Sequence, residues 1–288
     1  MPDYLSTPQC DMSNILQPTS RWITFLATAL LFVSCTEYIR VQESTDVREK
    51  YSYAKKYYNT KEYKKAAELL LVVAPYLQGT KDGEEAAYLL GQAYYGDEDY
   101  ESAYQAFVQY YTQYPNGEYA EEAHFYAGYG IAQDPPDPRL DQTQTYSAMK
   151  ELQSFIDTYP GSDKYDLAKQ KLFDLQDHLA EKELLNVELY YNLGNYLFNN
   201  YQSAIITARE ALKSYALTKH AEELHYYIVA SLYQIAKNSV ISKQQERLRE
   251  LRDEYYNYIN EFPQGAHRAK ADQYFAYATK NIKDEETI

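Results

Sequence analysis

Small and large apolar residues recur with helical spacing along most of the chain. The clearest segment, residues 87–115, places small residues where two helices can approach closely and large apolar residues where they fill the seam. Its key positions are Gly91, Tyr94, Tyr100, Ala103, Phe107 and Pro115. The proline stops the second helix. The segment therefore predicts two helices joined by a tight turn.

The same pattern recurs four more times. The positions equivalent to Gly91 are Ala54, Gly128, Gly194 and Ala230. Such recurrence is typical of tetratricopeptide (TPR) repeats, which are helical hairpins of about 34 residues that stack into a solenoid. Residues 266–281 add a final amphipathic helix. The sequence therefore predicts an all-α fold, an α-solenoid of five TPR-like hairpins with a carboxy-terminal capping helix.

Aromatic residues mark the ends of the second helices in hairpins 2 to 5. They are Tyr114, Tyr159, Tyr215 and Phe262. A proline follows three of them, whereas Ala216 follows Tyr215. We therefore expect the fourth hairpin to end with other stop signals.

Two insertions lengthen the spacing between these helix ends beyond that of a regular repeat. One is a loop rich in proline and aspartate, residues 133–142. The other is an unbroken helical pattern from 163 to about 199, which predicts two long helices that meet near Glu183 or one bent helix. It would join an amino-terminal block of hairpins 1–3, residues 47–160, to a carboxy-terminal block, residues 161–288.

The amino-terminal segment has the pattern of an export signal. Arg21 precedes an apolar run, 22–33, that is too short to span a bilayer comfortably, and Ser34 and Cys35 follow it. A cysteine directly after the cleavage site looks like a bacterial lipobox. We predict a lipoprotein signal peptide over 1–34, with Met12 as an alternative start, and a lipidated polar tether over 35–46. Cys35 would carry diacylglycerol and an N-acyl chain; the alternative is a buried helix with an incidental cysteine.

The residues after Cys35 predict where such a lipoprotein would reside. Thr36 stands where an aspartate would hold the protein in the inner membrane, and no dense acidic cluster follows to direct it to the cell surface. The sequence therefore predicts a location on the periplasmic face of the outer membrane.

Charge argues against nucleic acid as a partner, and the tyrosine content favours a peptide. The chain has 42 Asp or Glu against 28 Lys or Arg, a net charge of −14, and no basic stripe, so we expect no nucleic-acid binding. It also has 35 tyrosines, whose rings suit half-buried helix seams and peptide-binding grooves.

The repeat register predicts where a ligand would bind. In a TPR hairpin the first helix lines the concave face at positions three before, one after and four after the Gly91 position. In hairpins 1–3 six of these nine residues are aromatic: Tyr51, Tyr58, Tyr88, Tyr95, Phe125 and Tyr129. Such rings can stack on an extended peptide while their hydroxyls bond its backbone. The alternative is that they only fill the inner turn of the superhelix.

Other chemistry has little support in the sequence. The five histidines are scattered, and His220 and His225 are five residues apart, which does not bring both onto one helical face. The acidic pairs at 84–85, 121–122 and 222–223 fall at helix starts, where they complement the helix dipole. The sequence predicts no metal site, no cofactor other than the acyl group, no catalytic residue and no enzyme.

The middle of the chain carries a more specific likeness. Residues 137–206 contain Asp141-Gln142 before the second helix of hairpin 3, then Leu179-Ala180 with Glu183, then Tyr190-Tyr191. With the lipobox and the long repeats, these motifs resemble the BamD family, the lipoprotein component of the outer-membrane β-barrel assembly (BAM) machinery. The likeness extends over about 47–280.

The resemblance implies a periplasmic scaffold that takes part in folding and inserting outer-membrane proteins. Its carboxy-terminal hairpins would dock on a periplasmic domain of BamA, the barrel-forming assembly protein. Its amino-terminal hairpins would receive an extended targeting segment of an unfolded outer-membrane protein. Two other classes stay open: a TPR lipoprotein of another envelope complex, such as a pilotin-like secretion or peptidoglycan-linked protein, and a lipoprotein that binds glycans or peptides.

Overall fold

The computed structural model describes residues 37–196 and 198–283. Within these ranges every regular element is an α-helix, and the predicted all-α fold of five TPR-like hairpins with a capping helix is confirmed. The helices are α1 (37–43), α2 (Val47–Asn59), α3 (Tyr63–Leu77), α4 (Lys81–Gly96), α5 (Tyr100–Gln113), α6 (Ala120–Ile131), α7 (Thr143–Thr158), α8 (Tyr165–Leu193), α9 (Asn200–Ser214), α10 (Ala221–Lys237), α11 (Ile241–Glu261) and α12 (Arg268–Asn281). The hairpins pair α2 with α3, α4 with α5, α6 with α7, α8 with α9 and α10 with α11.

Helix starts follow from side-chain caps and local charge. The Asp46 carboxylate accepts hydrogen bonds from the backbone N–H of Arg48 and Glu49 at 2.8 and 3.3 Å, which starts α2. The Thr80 hydroxyl accepts from the N–H of Gly83 at 3.1 Å and starts α4. Acidic residues occupy the first turns of α4, α6 and α10, where they face the positive end of the helix dipole.

The chain divides into two compact units at a point within α5, between Ala106 and Phe107. In unit 1, the described residues up to 106, α3 packs on α2 and α4, and α2 also contacts α4. The predicted blocks, 47–160 and 161–288, are a different division and stay a prediction. The core of unit 1 is built from α1 to α4, with buried Val41, Tyr51, Ala54, Tyr57, Ala66, Ala67, Leu69, Leu70, Val73, Ala86 and Ala93.

The first two hairpins turn in the same way. Each first helix ends with two hydrogen bonds of the Schellman type, donated to carbonyls three and five residues earlier. The residue that adopts the left-handed conformation there is Lys61, with φ 62°, or Glu98, with φ 63°. Glycine is usual at this position because a side chain is strained in it. The packing of each hairpin therefore imposes this turn on residues that do not favour it.

Unit 2 comprises the described residues from 107 onward. Helices α6 to α12 pack consecutively, and α6 also contacts α8, α8 contacts α10, and α10 contacts α12. The first helices of successive hairpins thus form a continuous layer within this unit. The core of its later hairpins includes Leu184, Val187, Ile205, Leu224, Ile228, Leu248, Tyr258 and Tyr274.

One joint geometry recurs after the second helices of hairpins 2 to 5. At each predicted aromatic end, the backbone N–H donates to the carbonyl four residues earlier at 2.8 Å. The aromatic residue's own carbonyl then accepts an N–H from three residues later, at 2.9 to 3.1 Å. The joint after Tyr215 follows this pattern although Ala216 replaces the proline. There the Thr218 hydroxyl accepts from the N–H of His220 at 3.2 Å and supports the turn.

The long helical pattern of the middle is one continuous helix, α8, of 29 residues. It ends at Gly194, which has φ 56°. A Cβ at this position would lie 2.7 Å from the hydroxyl oxygen of Tyr201. The repeat register placed Gly194 inside the first helix of hairpin 4, but the structure uses its backbone freedom to end that helix.

The beginning of the described chain is folded. Residues 37–43, which lie within the predicted tether, form α1, and Val41 is fully buried in the core of unit 1. The predicted signal peptide, 1–34, and the predicted lipidation site, Cys35, lie outside the described residues. Among the helices of the described ranges, none is both long and apolar enough to cross a bilayer.

Candidate functional site

The six predicted ring positions occupy the first helices of the first three hairpins. Tyr51 and Tyr58 lie on α2, and Tyr88 and Tyr95 lie on α4, all in unit 1; Phe125 and Tyr129 lie on α6 in unit 2. They differ in burial. Tyr51, Tyr88 and Phe125 are 6, 8 and 2% exposed, whereas the other three are half-buried. The predicted residues that keep part of their surface exposed are therefore Tyr58, Tyr95 and Tyr129.

Tyr51 is part of a polar contact between α2 and α4. Its hydroxyl donates to the Glu85 carboxylate at 2.7 Å. The Lys55 ammonium lies 3.3 Å from the same carboxylate and 4.8 Å from the centre of the Tyr51 ring. Glu85 thus joins two residues of α2 that are four apart on one face. This contact fixes Tyr51 between the two helices.

Tyr58 and Tyr95 are held in equivalent places, 37 residues apart. Each packs edge-on against the first residue of the following helix, with ring centres 5.7 Å apart for Tyr58 and Tyr63 and 5.6 Å apart for Tyr95 and Tyr100. The interplanar angles, 63° and 64°, are also nearly equal. Such edge-to-face pairs orient a ring without covering both faces. The two tyrosines are therefore oriented by the same kind of contact, and both stay partly exposed.

In unit 2 the predicted residues belong to an aromatic cluster on α6 and α7. Phe125 stacks on Tyr129 with ring centres 4.8 Å apart and meets the ring of Phe155 at 5.4 Å. The Lys171 ammonium of α8 lies 5.6 Å from the centre of the Tyr129 ring. Tyr129 is a half-buried member of this cluster, and a cation already lies near its ring.

A buried polar group lies beside this cluster, and sequence reasoning did not find it. His124 stacks on Tyr111 with ring centres 4.6 Å apart, and the Tyr111 hydroxyl donates to Glu151 at 3.0 Å. The nearest His124 nitrogen is 3.9 Å from the Glu151 carboxylate. Burial lowers the pKa of His124, although the Glu151 charge acts in the opposite direction. No local sequence signal links these residues, because each comes from a different helix.

A second group that the sequence did not reveal ties α10 to α11 and α12. The Glu222 carboxylate accepts from the Tyr258 hydroxyl at 2.5 Å and from the backbone N–H of His267 at 3.1 Å. Burial raises the pKa of Glu222, but these hydrogen bonds outweigh it and leave the pKa below its ordinary value. The sequence predicts Glu222 only as an acidic residue at the start of a helix. In the structure its carboxylate also caps α12, because it accepts the N–H of His267, the residue that precedes that helix.

The Asp141-Gln142 motif organises the Pro- and Asp-rich loop. The Asp141 carboxylate accepts from the N–H of Thr143 at 2.9 Å, and its hydrogen bonds to Thr143 lower its pKa. Gln142 is 2% exposed, and its amide donates to the carbonyls of Asp137 at 2.8 Å and Leu140 at 3.2 Å. The motif therefore pins the loop to the start of α7.

The other family motifs lie in and beside the seam of α8 with its neighbours. Leu179 and Ala180 are buried. Tyr191 packs on Tyr201 of α9 and Tyr227 of α10, with ring centres 5.6 and 5.3 Å apart. Leu179, Ala180 and Tyr191 therefore pack within the protein at these contacts.

The chain is strongly acidic around the predicted rings of α4 and α6. Residues 82–138, which cover α4 after its first residue, Lys81, and all of α5 and α6, contain 12 Asp or Glu and no Lys or Arg. A neutral or basic peptide would suit such a segment, and an acidic one would be repelled. Within the described residues, no group of three or more His, Cys, Asp or Glu converges on a point where a metal could bind.

Comparison with known proteins identifies the family. A search of curated proteins found no match to the chain. The family model of the YfiO outer membrane lipoproteins, which are BamD-like, matches residues 43–198, just over half of the 288 residues. The matched region runs from the end of α1 through hairpins 1–3 and α8. The chain belongs to the YfiO family of outer membrane lipoproteins.

Proposed function

We propose that the protein is a non-enzymatic scaffold of the BAM complex, anchored by an acyl group on Cys35 to the periplasmic face of the outer membrane. It would bind the periplasmic domain of a BamA-like assembly protein and segments of unfolded outer-membrane proteins. The observation that carries this proposal is the match of residues 43–198 to the outer membrane lipoprotein family. The stack of TPR-like hairpins supports it, because such arrays are used as binding scaffolds.

Peptide binding in this proposal falls to the rings that remain accessible. Tyr58 and Tyr95 are preoriented by their edge-on partners, so a peptide could stack on them with little loss of side-chain freedom. Around Tyr95 the excess of acidic residues in 82–138 favours a neutral or basic segment, whereas Tyr58 lies in hairpin 1, which is net basic. Tyr51, Tyr88 and Phe125 would act mainly by holding the helices in place, since all three are buried.

Purification of the protein with its partners tests the scaffold. The wild-type protein and a Cys35→Ala variant would carry a carboxy-terminal tag, and membranes would be solubilised in mild detergent. We expect a barrel-forming assembly protein with periplasmic repeat domains to co-purify in a stoichiometric amount, and the variant to lose its membrane association. A secretin, a peptidoglycan-binding protein or glycan-utilisation components as the main partners would contradict the proposal.

Substitution of the accessible tyrosines tests the peptide surface. We expect Tyr58→Ala and Tyr95→Ala each to weaken binding of a carboxy-terminal peptide of an outer-membrane protein by roughly 3- to 10-fold, because one aromatic contact contributes about 0.5–1.5 kcal/mol. Titration by fluorescence anisotropy would measure the Kd. Tyr146→Ala is the control, since Tyr146 is 54% exposed on a second helix, α7. Equal effects of all three substitutions would contradict the assignment.

A further inference from the structure

Polar side chains in the first half of helix α1 attach it to hairpin 1. Glu37 pairs with Lys56 of α2 at 3.0 Å and accepts from the Tyr53 hydroxyl at 3.2 Å. The Tyr38 hydroxyl donates to Glu68 of α3. Arg40 pairs with Glu49 at 3.1 Å. The chain therefore becomes fixed to unit 1 at residue 37.

An exposed apolar strip lies on α3 next to this attachment. Leu71, Val72 and Tyr76 are 56, 46 and 74% exposed, although they follow one another within six residues. Val72 and Tyr76 lie four and eight residues beyond Glu68, on the same side of the helix. A helix rises 1.5 Å per residue, so they are only about 6 and 12 Å from the residue that binds Tyr38.

Basic charge is concentrated in the same hairpin. Residues 47–80 contain seven Lys or Arg and three Asp or Glu, a net charge of +4. Residues 81–288 contain 19 Lys or Arg and 34 Asp or Glu, a net charge of −15. Lys61, in the turn before α3, and Lys64, in the first turn of α3, are exposed. The apolar strip therefore lies in the basic part of an acidic protein.

We infer that this side of hairpin 1, defined by Leu71, Val72, Tyr76, Lys61 and Lys64 and called here the α3 face, rests in the headgroup region of the lipid bilayer. The inference rests on the proposed acylation of Cys35 and adds a second, non-covalent contact with the membrane. Aliphatic side chains and a tyrosine enter the apolar boundary of the headgroups, and lysines pair with anionic lipids.

The position of Cys35 favours a lipid surface over a protein partner. Only residue 36 separates Cys35 from the fixed helix, and two residues of extended chain span at most about 7 Å. An acyl group on Cys35 would therefore hold α1, and the α3 face beside it, close to the bilayer. A single acyl anchor binds reversibly, and a second contact strengthens it. The acidic remainder of the chain would be repelled by anionic lipid, which orients hairpin 1 toward the membrane.

A tryptophan placed on the α3 face reports this contact. The only tryptophan of the chain is Trp22, in the predicted signal peptide, so the processed Tyr76→Trp variant has a single reporter. The full lipoprotein would be reconstituted into vesicles of phosphatidylethanolamine and phosphatidylglycerol, with and without brominated acyl chains. We expect its emission to shift to shorter wavelength in the vesicles and to be quenched by the brominated lipid. Tyr256→Trp is the control, because Tyr256 is 46% exposed on α11 of unit 2, and we expect no quenching there.

The intact mass of the purified protein separates the two possible failures. If the mass shows acylated Cys35 but Tyr76→Trp is not quenched, the membrane contact is wrong and the scaffold proposal stands. If the mass shows no acyl group, the anchor fails and the contact inferred from it fails with it. A blue shift without quenching means that protein covers the α3 face, which also overturns the inference. Quenching that weakens when phosphatidylcholine replaces phosphatidylglycerol supports the role of the lysines.

Discussion

Gly83→Ala is expected to destabilise unit 1 by about 3 kcal/mol, at the upper end of what overpacking costs. A Cβ at this position would lie 2.0 Å from the carbonyl oxygen of Leu77 and 2.5 Å from its carbonyl carbon. Both atoms belong to the backbone and cannot rotate away. The end of α3 and the start of α4 would have to move apart, and the hydrogen bond from the Gly83 N–H to the Thr80 hydroxyl would be lost or distorted.

Chemical denaturation followed by circular dichroism would measure the loss of stability in Gly83→Ala. Gly161→Ala is the matched control, because a Cβ at Gly161 would meet no atom within 4 Å. We expect this change to alter the free energy of unfolding by no more than about 0.5 kcal/mol. A similar loss in both variants would show that the close approach at Leu77 does not constrain the turn.

The repeat register predicts the five hairpins, although it misplaces Gly194, because it depends on residues that are close in sequence. Spacing of small and large residues marks hairpin seams, and the aromatic ends at Tyr114, Tyr159 and Phe262 mark the joints. The joint at Tyr215 has the same backbone hydrogen bonds as the others, although Ala216 stands where they have a proline. The hydrogen bonds of that joint come from the backbone and from Thr218, so the proline is one stop signal among several.

The register could not predict how deeply each ring on the first helices is buried. It assigns a residue to a face, whereas burial depends on what the neighbouring helix brings to that face. Tyr51 is held by Glu85, which is 34 residues away in sequence, and Phe125 is covered by Phe155 of the next helix. The distinction between packing rings and accessible rings therefore appeared only in the structure.

The sequence pattern does not predict helix α1 either, because its contacts are also distant in sequence. Residues 37–43 contain three charged residues and only one that becomes fully buried, Val41, so the segment reads as a polar linker. Its partners Glu49, Lys56 and Glu68 are 9 to 30 residues away. No periodic pattern within the segment encodes those contacts. They depend on the surface that α2 and α3 form first.

The second large loss of stability is expected from substitution of Phe155, whose ring packs against Phe125. Phe155 has no exposed surface and lies 5.4 Å, between ring centres, from both Phe125 and Tyr159. Replacing it with alanine removes these contacts and leaves a cavity, since α7 is held in place by its neighbours. Buried Phe→Ala changes cost about 3–5 kcal/mol, and we expect about 4 kcal/mol for Phe155→Ala.

The same substitution tests whether hairpin 3 is one packed cluster. Tyr146→Ala removes another aromatic ring from α7, but that ring is 54% exposed, so we expect a loss of no more than about 1 kcal/mol in the same denaturation experiment. Phe155→Ala should also weaken the stacking of Phe125 on Tyr129, which near-ultraviolet circular dichroism would detect as a loss of aromatic signal. Equal losses of stability in the two variants would mean that burial of Phe155 does not hold the cluster together. A large loss of stability with Phe155→Ala alone, together with a reduced aromatic signal, would show that Phe155 helps to hold the stacked pair of Phe125 and Tyr129 in place.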